Sequence, residues 1–498
     1  MNRSPTIQSH RPPHSAWRLL VLLAGSRFLL HLLTNDQYGF HQDALAFLAN
    51  GLHPDWGYVA YPPLTPWLGR LGLALFGPSL VGIKTLAALA QSVAMIFSGL
   101  LARELGGGRL AQAAAALAAG IGLMSLIMGT LFQYISFDYL WWVLVLYCLA
   151  RLINSADPRW WLAIGLFVGL GLLTKYTMAF LVVGLAVAVL ATQWRRQLAS
   201  PWLWAGALLA FLLILPNLLW QLEHDFVSLE FLTYISQRDR ALGRADGFFS
   251  QQLYVNLNPF MLPLALAGVY FYLRRAGRRY RVLLLLFAVT LLLFASTGGR
   301  FYYAAPLYPI LLAGGAVVGE EWLIGRSARQ QRVLLSLATV LFVIGAVVAA
   351  ALMLPLAPVG SPLWTVTSDV HDNFIDQIGW EELAADTADL YQQYEADYRR
   401  LAVLAARYGQ AGAIELHGPG HDLPPPISPV NSFWLRGYGV PPPDGVLAIG
   451  FGREELAQHF QACRVVGRVR NRYGIDKPFP DEIYLCPAAP DRWDTIWP

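Results

Sequence analysis

Ten apolar runs of membrane-span length, set apart by polar connections, constrain this chain more than any motif in it. They fall near 17–34, 79–102, 109–129, 138–153, 160–193, 202–220, 252–273, 281–297, 302–324 and 332–354. A helix rises about 1.5 Å per residue, so about 20 apolar residues cross a hydrocarbon core of about 30 Å. A chain with this many runs is expected to thread a bilayer repeatedly. Composition agrees: 56% of the 498 residues are hydrophobic, 14% are charged and the mean hydropathy is +0.44. That is more apolar surface than one soluble core hides. The first run follows a polar segment, Met1 to His14, and shows no small-residue cleavage site. It reads as a retained span rather than a signal peptide.

The 160–193 run is too long for one helix and carries Lys175 near its middle. A hairpin of two short helices turning at Thr174-Lys175-Tyr176 puts the lysine at a membrane face, where a long cation reaches water. The count becomes about eleven spans. Alternate connections then collect Arg103 and Arg109, Arg151 and Arg159, Arg195 and Arg196, the group Arg274, Arg275, Arg278, Arg279 and Arg281, and Arg326, Arg329 and Arg332. With Arg3, Arg11 and Arg18 at the N-terminus, these mark the cytoplasmic side. The opposite connections hold fewer cations, among them Arg70, Lys175, Arg238, Arg240, Arg244 and Arg300.

An odd span count from a cytoplasmic N-terminus places the tail outside. The expected division is a membrane domain over 1–354, with a first outer loop at 35–78, and a soluble α/β domain over 355–498. In the tail, Glu381 to Arg400 and Arg453 to Ala462 read as helices. Leu401 to Ala406 and Gly445 to Phe451 are apolar runs of strand length, and Pro424-Pro425-Pro426 and Pro441-Pro442-Pro443 punctuate loops. The three cysteines exclude a cysteine-rich scaffold. Cys148 sits in an apolar run as a small buried hydrophobe, and Cys463 and Cys486 are expected to pair if the tail lies in an oxidising compartment.

Ionisable residues at span ends recur on the outer connections: Asp43, Asp138, Lys175, Glu223, His224, Asp225 and Arg300, accompanied by Tyr134, Tyr176, Tyr302 and Tyr303. An Asp, Lys or Arg at bilayer depth costs about 2.5–3.5 kcal/mol on insertion scales, so such groups usually face a cavity and act there. They are expected to converge on one face. Trp141, Trp142, Trp160 and Trp161 read instead as interfacial belt residues. Arg27 and His31 share a face of the first span, as a functional pair or as a snorkelling cation beside a structural histidine. Lys84, one turn inside the second span, is open to the same two readings. His41, His53 and His224 lack metal-ligand spacing and read as satisfied or interfacial histidines.

Asp43 stands apart. It lies in a loop bounded by aromatics and by Pro62-Pro63, on an otherwise apolar segment with Leu45, Phe47 and Leu48, and no basic residue within a helical turn accounts for it as an ion pair. A fixed, partly desolvated carboxylate is what a general base requires.

Several stretches together resemble bacterial glycosyltransferase family 39, the protein mannosyltransferase-like and aminoarabinose-transferase-like enzymes of the GT-C fold. They are an acid soon after the first span, the aromatic-Pro-Pro stretch ending Tyr61-Pro62-Pro63, Phe137-Asp138, Leu172-Leu173-Thr174-Lys175-Tyr176-Thr177, and Gly299-Arg300-Phe301-Tyr302-Tyr303 followed by Pro306 and Pro309. The resemblance covers about Ala16 to Met353. It implies a polytopic α-helical GT-C-like membrane protein that moves a hexose or pentose, with inversion, from a polyprenyl-phosphate carrier to a lipid, glycan or protein acceptor at the outer face of the bacterial cytoplasmic membrane. Asp43 matches the family's catalytic acid, Lys175 and Arg300 match cations near the lipid phosphate, and Asp138 matches the acid opening the fourth span. Tyr302, Tyr303, His224, Asp225, Tyr61, Arg27 and Lys84 complete the expected substrate-binding set. The family's second acid is Ala44 here, and the acidic position before the proline pair is Ala60. That removes two partners of a divalent ion, so no metal ligand or cofactor is assigned. Membrane lipid is an expected partner and nucleic acid is not. The competing class is a carrier or flippase of lipid-linked sugars, for which broken mid-membrane helices and two related halves would be expected.

Overall fold

In the computed structural model the apolar runs are helices, as their length and composition require. The structure describes residues 13–475, 480–489 and 493–497; Arg3 and Arg11 lie outside them. Two compact units emerge. One comprises Met1–Thr34, Thr85–Thr130 and Tyr134–Leu354, and the other Asn35–Lys84, Leu131–Gln133 and Pro355–Pro498.

Among the described residues, six helices are long and apolar enough to span a membrane: Trp17–Thr34, Leu80–Glu104, Tyr134–Ser155, Pro201–Glu223, Arg278–Thr297 and Ala328–Met353. Four bent pairs raise the count to ten if each is one span, and Trp160–Thr174 is a further, shorter apolar helix; the sequence count was about eleven. One bent pair, Arg109–Gly120 with Leu123–Thr130, turns by 62°. The expected hairpin is present: one helix ends at Thr174, Lys175 is extended at φ −159°, and the next helix runs Met178–Leu190. Leu22, Leu33, Leu208 and Val343 face outward, an apolar exterior that suits lipid rather than water. Trp142 and Trp161 do not belong to a belt. Both are buried in the first unit's core, and Trp142 is recruited there as a donor because a buried indole N–H needs a partner.

Glycine sets a close helix approach in this unit. Trp160–Thr174 crosses Pro201–Glu223 where a Cβ on Gly165 would run into the Gly206 carbonyl, and one on Gly206 into the Trp161 carbonyl. Small residues let backbones meet this way inside membranes.

Arginines from three connections read as cytoplasmic meet around one acid. Glu104 is buried and pairs with Arg103 at 3.3 Å and Arg151 at 3.1 Å, and its Oε2 accepts from Asn154 at 2.9 Å. Arg279 in turn donates to Asn154 Oδ1 at 2.7 Å. Leaving this carboxylate unpaired at its depth would cost several kcal/mol, so the cluster joins these helix ends at one place.

In the second unit the tail forms a four-stranded sheet, β1 Leu401–Ala405, β2 Gly445–Ile449, β3 Arg464–Arg468 and β4 Glu482–Pro487, in the order β1-β2-β4-β3. β1 and β2 are parallel and the other pairings antiparallel. The two parallel strands are buried along their whole length, which is why they read as continuous apolar runs. Helices Trp380–Tyr394 and Arg453–His459 match the two expected, slightly shortened. A disulfide joins Cys463 to Cys486, and Cys148 is free and buried. The first-loop helix Gln42–Leu52 belongs to this unit and lies against the tail helix Tyr408–His417, close enough that a Cβ on Gly412 would strike the Leu45 backbone.

Candidate active site

Asp43 occupies the first turn of Gln42–Leu52, and the preceding residue sets that turn. His41 is the N-cap: its Nδ1 accepts the Asp43 backbone N–H at 3.1 Å, satisfying one of the donors a helix start leaves open. The Asp43 side chain is about one-third exposed. Its Oδ1 accepts from the Tyr408 hydroxyl at 2.8 Å and its Oδ2 from Gln133 Nε2 at 3.1 Å. Two donors fix the carboxylate, and the open third leaves it reachable. Burial, and then the negative charge of Asp43, push the Tyr408 phenol well above its ordinary range, so Tyr408 stays a donor across working pH.

Tyr61 stiffens the same helix from its far end. Its ring packs on Phe47 with centroids 4.4 Å apart, and its hydroxyl accepts from Asn50 Nδ2 at 2.7 Å. Arg436 donates to Asn50 Oδ1 at 2.7 Å and pairs with Glu415 at 3.3 Å. Lys84 is buried, its ammonium donating to Gln377 Oε1 at 2.9 Å and to the Asn35 carbonyl at 3.3 Å. Those acceptors are neutral, and a lysine buried in this way is not snorkelling.

The first unit gathers the other cations. The Lys175 ammonium lies 3.6 Å from the Tyr303 ring centroid, 4.8 Å from Tyr134 and 5.8 Å from Tyr302. Such contacts reach about 2 kcal/mol each when desolvated, and they hold the cation without neutralising it. Asp138 accepts from Trp142 Nε1 at 3.0 Å and lies within electrostatic reach of Lys175. Arg300 pairs through Nε with Asp239 at 2.6 Å and donates to the Tyr302 hydroxyl at 2.9 Å. Arg238 and Arg244 each reach the same Asp239 carboxylate at 3.2 Å. Three guanidinium groups thus share one acid, an excess of positive charge suited to an anion.

The structure brings Lys175, Asp138, Arg300, Tyr302 and Tyr303 together, as expected, with Tyr134. It does not bring His224, Asp225 or Arg27 into that cluster. His224 stacks on Trp220 with its Nδ1 against the Trp220 carbonyl, and Asp225 is exposed in the left-handed turn that follows. Arg27 is buried and donates to the carbonyls of Gln91 at 3.1 Å and Ser125 at 2.5 Å, a role in joining helices. Tyr176 turns instead to Asn217 and Gln221. Among the described residues, no group of three or more His, Cys, Asp or Glu side chains is placed to hold a metal ion. The sequence did not single out Tyr408, Gln133, Asp376 or Asp239 as site residues. Tyr408 and Gln133 lie 365 and 90 residues from Asp43, beyond the reach of any local pattern.

Comparison with known proteins bears on what these clusters are. Residues 60–220 match the family described as dolichyl-phosphate-mannose-protein mannosyltransferase. An undecaprenyl phosphate-α-4-amino-4-deoxy-L-arabinose arabinosyl transferase of Pseudomonas aeruginosa is 29% identical over 230 residues, 41% of this chain and 40% of that one. The lipid A galacturonosyltransferase RgtD of Rhizobium johnstonii is 27% identical over 276 residues, 54% of this chain and 57% of that one. The chain thus spans roughly half the length, or less, of these relatives. Among solved structures, ArnT from Cupriavidus metallidurans bound to undecaprenyl phosphate superposes with a TM-score of 0.55 at 15% identity, covering 94% of this chain and 97% of that one. The mycobacterial arabinofuranosyltransferase AftD gives 0.56 at 14% identity, covering 96% of this chain and 42% of that one. The fold is that of the solved ArnT and AftD membrane proteins, and residues 60–220 are similar in sequence to the mannosyltransferase family.

Proposed function

We propose that this protein is an inverting glycosyltransferase that moves a sugar from a polyprenyl-phosphate carrier to an acceptor hydroxyl at the outer face of the cytoplasmic membrane. The observation that carries the proposal is Asp43, a carboxylate held by Tyr408 and Gln133 yet open enough to meet a substrate. The sequence relatives, named for sugar transfer, support the reaction class, and so does the positive excess at Lys175 and Arg300.

Asp43 takes the proton of the acceptor hydroxyl as its oxygen attacks the anomeric carbon. The bond from that carbon to the phosphate oxygen breaks, and its electron pair leaves on the lipid phosphate. General-base assistance of this kind contributes about 10²- to 10⁴-fold. Cations held in a dry site stabilise the departing phosphate, each worth a few kcal/mol. Lys175 and Arg300 are assigned that task, with Tyr302 and Tyr303 orienting them. The acceptor is a lipid, a glycan or a protein.

Arg300→Ala is expected to lower kcat and to raise the apparent KM for the lipid-phosphate donor, together about tenfold in kcat/KM or about 1.4 kcal/mol, and to leave the KM for the acceptor unchanged. Steady-state kinetics with each substrate varied in turn checks this. An equal rise for both substrates would assign Arg300 to the fold through Asp239 instead.

A further inference from the structure

His41 does more than cap a helix. The Asp43 backbone N–H fixes Nδ1 of His41 as an acceptor at 3.1 Å, because that donor cannot be reversed. Gln133 Nε2 also approaches Nδ1 at 3.1 Å while donating to Asp43 Oδ2, so one amide bridges two acceptors that lie 3.8 Å apart. With Nδ1 accepting, the ring of this buried histidine carries its proton on Nε2. That nitrogen faces Asp376 Oδ2 at 3.5 Å. Asp376 is itself held: Gln42 Nε2 donates to its Oδ2 at 2.7 Å, and its backbone carbonyl accepts from Trp380 Nε1 at 2.8 Å.

We propose that Asp376 is a positioning residue for the base: it anchors His41 through Nε2, and His41 fixes the helix start from which the Asp43 carboxylate is aimed. The proposal rests on the assignment of Asp43 as base. It gives the tail a part in the chemistry, from 333 positions beyond Asp43 in the sequence. Asp43 and Asp372 also act electrostatically on Asp376, and Asp376 acts on Tyr408. Burial raises the Asp376 carboxyl above the usual carboxylate range while His41 pulls it back, as expected of an acid facing an imidazole N–H.

The test compares wild type, Asp376→Ala, Asp376→Asn, His41→Asn and Asp43→Asn as full chains in detergent micelles. Transfer is measured from a panel of radiolabelled polyprenyl-phosphate sugars, and ¹⁵N-histidine NMR reads the His41 ring, its signal assigned by loss in His41→Asn. Asp376→Ala is expected to lower kcat about ten- to a hundredfold with donor KM unchanged, the scale of a misaimed catalytic group, and to replace a sharp Nε2–H signal by an averaged one. Asn keeps an acceptor at the position, so Asp376→Asn should retain the sharp signal and most of the turnover. Wild-type kcat and an unchanged His41 signal in Asp376→Ala would overturn the proposal. So would equal losses of kcat in the Ala and Asn variants with a sharp signal in both. If Asp43→Asn turns over normally, or if wild type moves no label, the enzymatic reading fails instead, and the NMR still decides whether Asp376 anchors His41.

Discussion

Asp43→Asn is expected to lower sugar transfer by about 10²- to 10⁴-fold, the contribution of a positioned general base, while the protein accumulates and stays folded. The amide retains an oxygen to accept from Tyr408, and its cost is an amide N–H facing the Gln133 donor, about 1 kcal/mol at a partly exposed site. Transfer assays paired with thermal unfolding of the purified chain separate the two effects. Normal turnover in a folded variant would remove Asp43 from the mechanism. Loss of folding would make it a structural acid.

Gly165→Leu carries the largest expected effect on stability. The added side chain has to enter where the Gly206 carbonyl already sits, and two helix backbones cannot part without giving up the contacts along their whole crossing. Overpacking of this kind costs about 3 kcal/mol or more when backbone blocks the way. Fluorescence-detected size-exclusion chromatography after heating should show the variant lost from the monodisperse peak well below the wild-type midpoint. Leu166→Ala, one position along on a partly exposed face, should change stability by only about 0.5 kcal/mol. Equal behaviour of the two variants would mean that the Gly165–Gly206 approach is not what holds this helix pair.

What could be read in advance follows from which patterns are local. Span positions, the turn at Lys175 and the two parallel strands are written in runs of consecutive residues, and each appears where those runs end. The gathering of Lys175 with Tyr302 and Tyr303 was legible because both motifs fall at span ends of the same expected side. The environment of Asp43 was not. Its side chain is held by Tyr408 and Gln133, both distant in sequence, and His41 is indistinguishable from an ordinary loop histidine until Nδ1 is seen to cap the helix at the Asp43 backbone N–H. The arginines drawn to Asp239 and to Glu104 were legible as charges but not as clusters, since charge alone does not name the acid it surrounds. Trp142 misled for a related reason: near the start of an apolar run composition favours an interfacial residue, whereas burial and a hydrogen bond make it a donor to Asp138; Arg27, in the middle of its helix, links helices through the Gln91 and Ser125 carbonyls.

The most direct measurement is label transfer by the purified full chain, reconstituted in lipid, from a panel of radiolabelled polyprenyl-phosphate sugars in the presence of membrane extract. Label is predicted to leave at least one donor and appear in an acceptor, with free polyprenyl phosphate released in equal amount. A folded wild-type protein that moves label from none of them, or that only redistributes intact donor across the bilayer, would contradict the account.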